Sequence, residues 1–227
     1  MTGSFTRFAV YYAPPPGSEL ARAGAGWLGW DADAGQAVAH PDLGLDLAQL
    51  TATPRKYGLH GTLKPPMRLA CPVATFLDGV DTVAQALAPV ELGRLSLRAL
   101  DGFVAIMPQA PQPAPLSDAA ARIVQDLDAF RAPLSDDELA RRRATPLSPR
   151  QDTLLQDWGY PYVLDEFRFH ITLSGRLQPA AMPDVLRAAH AWFDPALDAA
   201  QVMTDLAVFA EDEAGRFHLI RRFALRG

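Results

Sequence analysis

Apolar and polar positions alternate along Leu59-His60-Gly61-Thr62-Leu63-Lys64 and again along Phe167-Arg168-Phe169-His170-Ile171-Thr172-Leu173. A period of two marks a strand with one buried and one polar face. The first strand is predicted to end at Pro65-Pro66, because proline cannot donate to a sheet ladder, and the second at Ser174-Gly175. Residues 5–12, rich in β-branched and aromatic side chains, predict an earlier strand that stops at Pro14-Pro15-Pro16. Residues 93–100 and 103–107 flank Asp101-Gly102, a hairpin signal, and residues 202–210 and 217–225 flank a turn at Glu213-Ala214-Gly215.

Helical spacing fills the intervals. Residues 18–30 place Leu20, Trp27 and Leu28 on one face, although Gly24 and Gly26 weaken that helix, and residues 73–87 and 179–193 are helix-like. Residues 35–53 hold at most a short strand and a turn. Strand, helix and a strand–hairpin–strand run recur in both halves, with His-x-Thr-Leu at the same place in each. Such a weak internal duplication predicts two equivalent half-sites facing each other.

A different kind of sequence separates the halves. Residues 108–115 are proline-rich and predict an exposed link. Leu116, Ala120, Ile123, Leu127 and Phe130 then share one helical face, with Ser117 or Asp118 as N-cap. Ser135-Asp136-Asp137-Glu138 and Ser148-Pro149-Arg150-Gln151 are capping-box patterns, the first opening a helix that carries Arg141, Arg142 and Arg143. The last of these helices should run to Trp158 and stop at Gly159. Together they are placed to cap one edge of a cleft.

Composition narrows the classes. With 227 residues, 49% apolar and 21% charged, the chain is an ordinary globular protein with room for one generous domain or two small lobes. A net charge of -5 argues against broad attraction to a nucleic-acid backbone, without excluding a local cationic pocket. The single cysteine, Cys71, rules out an internal disulfide and fits a reducing compartment. Residues 1–7 lack a basic start followed by an apolar run, and no stretch is long and apolar enough to span a bilayer. A soluble cytoplasmic protein without a membrane partner is therefore expected.

The chemistry rests on the repeated tetrad. Five His and eleven Thr among 227 residues should produce His-x-Thr about a quarter of a time by chance; it occurs twice, each time followed by Leu. Strand alternation is expected to put His60, Thr62 and Lys64 on one face and Arg168, His170, Thr172 and Ser174 on another. If these faces line one cleft, a phosphodiester between them meets two imidazoles from opposite sides. One would act as base and the other as acid, the threonines would donate to nonbridging oxygens, and Lys64 and Arg168 would offset their charge. An isolated His-x-Thr reads more readily as structural, but the pair favours catalysis. For Lys64 and Arg168 a solvated strand edge is an even alternative. Arg141, Arg142 and Arg143 read as a solvated helix end ahead of a phosphate clamp, by about two to one. Arg7, Tyr11 and Tyr57 fit the cleft and plain packing equally well, and His40, His190 and His218 lack the threonine context. No metal-ligand spacing, Walker-type loop or Gly-x-Ser-x-Gly elbow occurs, so no metal or cofactor is expected.

Tyr57-Gly58-Leu59-His60-Gly61-Thr62-Leu63-Lys64-Pro65-Pro66 and Phe167-Arg168-Phe169-His170-Ile171-Thr172-Leu173-Ser174-Gly175 resemble the two-histidine (LigT-like) phosphoesterase superfamily. With Trp158-Gly159-Tyr160-Pro161-Tyr162-Val163, they look like its branch associated with phosphonate-utilisation operons. The resemblance implies an α+β, bilobal RNA ligase/cyclic phosphodiesterase-like fold: two antiparallel sheets, outer helices and a central cleft. The chain would be one domain with approximate lobes 1–115 and 116–227, between which strands can exchange. Implied as site residues are His60, Thr62, His170 and Thr172; Gly61 stands where a larger small residue is usual. The implied activity is metal-independent opening of a small cyclic phosphodiester. RNA 2′,3′-cyclic phosphate processing is a second reading that the net charge disfavours, and a non-catalytic module binding a phosphorylated metabolite is a third. The acid and base assignments, the substrate and the oligomeric state stay open at this level.

Overall fold

A computed structural model describes residues 5–109 and 111–227. Residues 1–4, part of the stretch in which no secretory signal is expected, and Ala110, in the proline-rich link, lie outside the described residues. In chain order the first half contains β1 (Phe8–Tyr12), α1 (Glu19–Leu28), β2 (Trp30–Asp31), β3 (Gln36–Ala37), α2 (Leu47–Leu50), β4 (Gly61–Met67), α3 (Val73–Gln85), β5 (Val90–Gly93), β6 (Leu95–Leu100) and β7 (Phe103–Pro108). The second half continues with α4 (Ala114–Asp126), α5 (Asp136–Arg143), α6 (Pro149–Trp158), β8 (Ile171–Thr172), α7 (Met182–Leu197), β9 (Gln201–Met203), β10 (Asp205–Glu211) and β11 (Phe217–Ala224).

The described residues form an α+β fold whose sheets are antiparallel. The main sheet has seven strands in the order β11-β10-β1-β4-β8-β7-β6, and β2-β3 and β5-β9 form two small pairs. At its centre the two motif strands meet through Gly61 and Ile171. The hairpin β6-β7 pairs with β8, while the hairpin β10-β11 reaches β4 through β1. Each histidine strand is thus connected, β8 directly and β4 through β1, to the hairpin of the other half. The expected sheets join edge to edge here, and β4 and β8 lie side by side.

Alternation along β1 separates two environments. Phe8, Val10 and Tyr12 enter a large core built with residues of α1, α3, α4 and α7, whereas Ala9 and Tyr11 pack on the opposite face with Trp30, Ala207, Phe209 and Phe217. These four helices therefore cover one face of the sheet, and the candidate site residues lie on the other, with Tyr11. Among the described residues no helix is long and apolar enough to cross a membrane.

Of the sequence-based boundaries that move, three have a plain physical reason. β4 continues through Pro65-Pro66 to Met67. Beyond Gly61 its only strand neighbour is β1, and the register to β1 is irregular there, so the missing proline N–H groups interrupt no regular ladder. β8 shrinks to Ile171–Thr172, because the Phe169 N–H donates to the Gln112 side chain at 2.8 Å instead of to a neighbouring strand. α4 starts at Ala114 rather than at a Ser117 or Asp118 cap; Pro113 is its N-cap, and a proline in the first turn forfeits only an N–H that would have no intrahelical partner. Both capping boxes form as expected, Ser135 with Glu138 and Ser148 with Gln151, and Gly159 ends α6 at φ 75°.

Candidate active site

His60 and His170 each lie one residue before a strand, at equivalent points of the two halves. His60 Nδ1 is 2.9 Å from the Gly58 carbonyl oxygen, and His170 Nδ1 is 2.8 Å from that of Arg168. A carbonyl can only accept, so each Nδ1 carries the proton and each neutral ring keeps its lone pair on Nε2. The same contact with the residue two positions back thus orients both imidazoles alike.

Two glycines make this arrangement possible. Gly58 adopts φ 71° and ψ -179°, a combination that directs its carbonyl to His60, and a Cβ there would fall 2.7 Å from the Ala32 Cβ. At Gly61 a Cβ would stand 2.5 Å from the Phe169 ring, which is fully buried and packs edge-on against Tyr12. Gly61, where the resemblance implies a larger residue, is the space into which the neighbour of the second histidine fits. The second motif is held further by Trp27 Nε1, which donates to the Leu173 carbonyl at 2.8 Å.

His60, Thr62, His170 and Thr172 line one cavity of ≈ 460 Å³ together with Tyr11 and Tyr57. Thr62 is the cross-strand partner of Tyr11, and Thr172 that of Ala105. Thr62 and His170 also line an adjoining chamber of ≈ 590 Å³, whose walls include Phe103, Tyr160, Tyr162, Phe167 and Arg168. The imidazole of His60 lies against Tyr11, ring centres 4.0 Å apart, and Tyr57 is 5.6 Å away. Burial, opposed by the carbonyl contact and joined by the charge of a protonated His170, pushes the His60 pKa down to about 4. Burial also lowers the pKa of His170, opposed by its carbonyl contact and the charge of Asp101. Among the described residues no group of three or more His, Cys, Asp or Glu side chains is placed to hold a metal ion.

Lys64 does not share this face, contrary to the alternation expected of it. The β1–β4 register shifts between Val10 and Tyr11, so Thr62 pairs with Tyr11 but Lys64 pairs with Val10, a residue of the helical core. Its side chain is 2% exposed and donates to the Val124 carbonyl at 2.9 Å and to Asp128 at 3.2 Å. Arg131 makes a two-pronged contact with the same Asp128. Lys64 is a tie between β4 and α4. Ser174 is likewise buried, accepting from the Val104 N–H and donating to the Gly175 carbonyl. Arg168 is exposed at the wall of the larger chamber.

Several lining residues carry no decisive signal in the sequence. Tyr11 belongs to a run in which every residue of β1 is buried, so the polar face is masked; its hydroxyl is buried without a hydrogen-bond partner among the described residues. Arg7 reaches the cavity but is held by Glu211 through paired contacts. Arg141 and Arg142 line the cavity, whereas Arg143 turns away to Asp152. Outside the site, His40 contacts the Trp27 carbonyl, His190 contacts Asp194 and His218 contacts Asp212.

Two curated relatives, both named ribose 1,5-bisphosphate phosphokinase PhnN, are similar to the chain. The protein from Janthinobacterium sp. (strain Marseille) is 35% identical over 219 residues, 92% of this chain and 48% of that protein. The protein from Laribacter hongkongensis (strain HLHK9) is 37% identical over 220 residues, 95% and 51% respectively. The chain spans about half the length of the curated relatives it matches. Among solved structures, apo E. coli LigT aligns at 14% identity and a TM-score of 0.47, covering 99% of this chain and 100% of that one. A phosphoesterase crystal structure aligns at 16% identity and a TM-score of 0.44, covering 98% and 99%. A family model described as "Protein of unknown function (DUF1045)" matches residues 62–218, a span that takes in Thr62, His170 and Thr172, and the chain belongs to that family.

Proposed function

We propose that the chain is a phosphoesterase that opens a small cyclic phosphodiester through His60 and His170 without a metal ion. The carrying observation is that two imidazoles, each with Nδ1 bound to a carbonyl and Nε2 left as the reactive nitrogen, line one cavity with two threonine hydroxyls. In this reading His60 Nε2 takes a proton from water as the water oxygen attacks phosphorus. The bond from phosphorus to one ring oxygen breaks, and protonated His170 gives its Nε2 proton to that oxygen. The products are a phosphomonoester and a free hydroxyl, and solvent exchange restores the two rings. Thr62 and Thr172 donate to the nonbridging oxygens.

His60 is the base, because burial holds it neutral well below pH 7. His170 is taken as the acid: burial lowers its pKa as well, but the charge of Asp101 opposes that shift, and among the described residues no carboxylate does the same for His60. A ribose cyclic phosphate is the favoured substrate: the relatives bear a name that refers to a ribose bisphosphate, and ring opening of such a compound yields a ribose phosphomonoester.

A panel of cyclic ribose phosphates, 2′,3′-cyclic nucleotides and RNA ends, assayed with a chelator present, tests the reading. Turnover of a small cyclic substrate that the chelator leaves intact is expected; none across the panel would overturn it. Turnover confined to RNA ends would favour RNA processing instead. The pH profile has a definite sign. Free enzyme must hold His60 neutral and His170 protonated, so kcat/KM should peak between about 4 and the lowered His170 value, on the acid side of 6.5. Above that peak it should fall roughly tenfold per pH unit. A profile rising to an alkaline plateau would contradict the assignment.

A further inference from the structure

We infer that Arg141 and Arg142 form a second anion subsite, which takes a phosphomonoester carried by the same small sugar substrate at a distance from its cyclic diester. The inference rests on the phosphoesterase reading for the identity of the first anion, and on separate residues for the second.

Arg141 and Arg142 lie in the last turn of α5, and both line the cavity that holds His60 and His170. Among the described residues neither makes a salt bridge or a side-chain hydrogen bond, whereas Arg143 beside them is bound by both oxygens of Asp152. The other cation of this cavity, Arg7, is already neutralised by Glu211. Glu138, the acid of the cavity wall on α5, is occupied by Arg68 and by the Ser135 N–H. Two guanidinium groups therefore line the cavity without an acidic partner among the described residues, and an anion is the ligand that would complete them.

Their setting is also organised. The Arg142 guanidinium lies over the Tyr160 ring at 4.5 Å, a contact that braces it at the cavity wall while its N–H groups make no hydrogen bond among the described residues, and a guanidinium can bind a phosphate in two-pronged fashion. α5 has no buried residue, yet its start is pinned by the Ser135 capping box and its end by the bridge from Arg143 to α6. A helix that adds no buried residue to the core but carries two cations to the cavity wall fits a binding role better than a packing role. A cyclic phosphodiester carries one negative charge, which Thr62, Thr172 and a protonated imidazole already meet. The two extra cations match a second, doubly charged group on the same molecule.

The test uses the full chain and two independent readouts. In titration calorimetry, ribose 5-phosphate should bind more tightly than ribose, and Arg141→Ala/Arg142→Ala should weaken it about 30–100-fold. The single variant Arg187→Ala, at an exposed position of α7 outside the cavity, should leave that affinity unchanged. In kinetics, a cyclic ribose phosphate with a second phosphomonoester should be preferred over the same compound without it. In the double variant that preference in kcat/KM should collapse, through KM. Arg141→Gln/Arg142→Gln, which keeps polar side chains on α5, should behave alike. Equal affinity for ribose 5-phosphate in wild type and both double variants would overturn the inference. Failure of every cyclic substrate to turn over would sink the phosphoesterase reading, while the calorimetry would still decide the subsite.

Discussion

His60→Ala and His170→Ala are each expected to lower kcat by roughly 10²–10⁴ while KM changes little. Each ring is positioned by a carbonyl that leaves only Nε2 for proton transfer, so neither histidine can substitute for the other. The double variant should be scarcely slower than the worse single one, because acid and base act as a unit. His60 packs against Tyr11, so His60→Gln, which retains side-chain bulk and a polar end, separates loss of chemistry from loss of packing. Single-turnover rates with thermal unfolding curves check the point. A variant that unfolds like wild type and retains wild-type kcat would remove that histidine from the reaction.

Lys64→Ala is expected to destabilise the fold by about 3 kcal/mol without abolishing turnover by the folded molecules. The substitution leaves a void beneath α4 and withdraws the partner of the Val124 carbonyl. Asp128 keeps Arg131, so the deficit is mainly lost packing and one unpaired acceptor. Burial has already driven the Lys64 pKa down to about 8, against the pull of Asp128, so the charge itself contributes little net stability. Lys64→Met, which keeps the stem and discards the charge, should accordingly fall within about 1 kcal/mol of wild type. Denaturant titrations of both variants, read beside kcat per folded molecule, decide the matter. Loss of activity in folded Lys64→Met would place the amine back in the reaction.

Local rules carried the sequence reading far where one face of an element meets water. The Asp101-Gly102 hairpin, both capping boxes and the Gly159 stop are set by contacts within a few residues, and the structure contains each of them. The repeated His-x-Thr-Leu was legible because two rare residues recur at one spacing, and the structure brings both copies to one cavity. Lys64 escaped because a shift in pairing register reverses side-chain direction while leaving the sequence pattern untouched. Tyr11 stays undecided between cleft and core because its strand is buried on both faces and no alternation survives there. Arg141 and Arg142 could not be told from a solvated helix end, since only the packing of α5 decides that they face the cavity and Arg143 does not. β4 outran its prolines for a related reason: whether a missing N–H matters depends on which neighbour it would have met.

A crystal structure with phosphate or sulfate bound interrogates the paired imidazoles most directly. The expected density is one anion within hydrogen-bond reach of Nε2 of both His60 and His170, with the Thr62 and Thr172 hydroxyls on its remaining oxygens. An anion held by only one of the two rings, or seated elsewhere while the space between them stays unoccupied, would contradict the proposed chemistry.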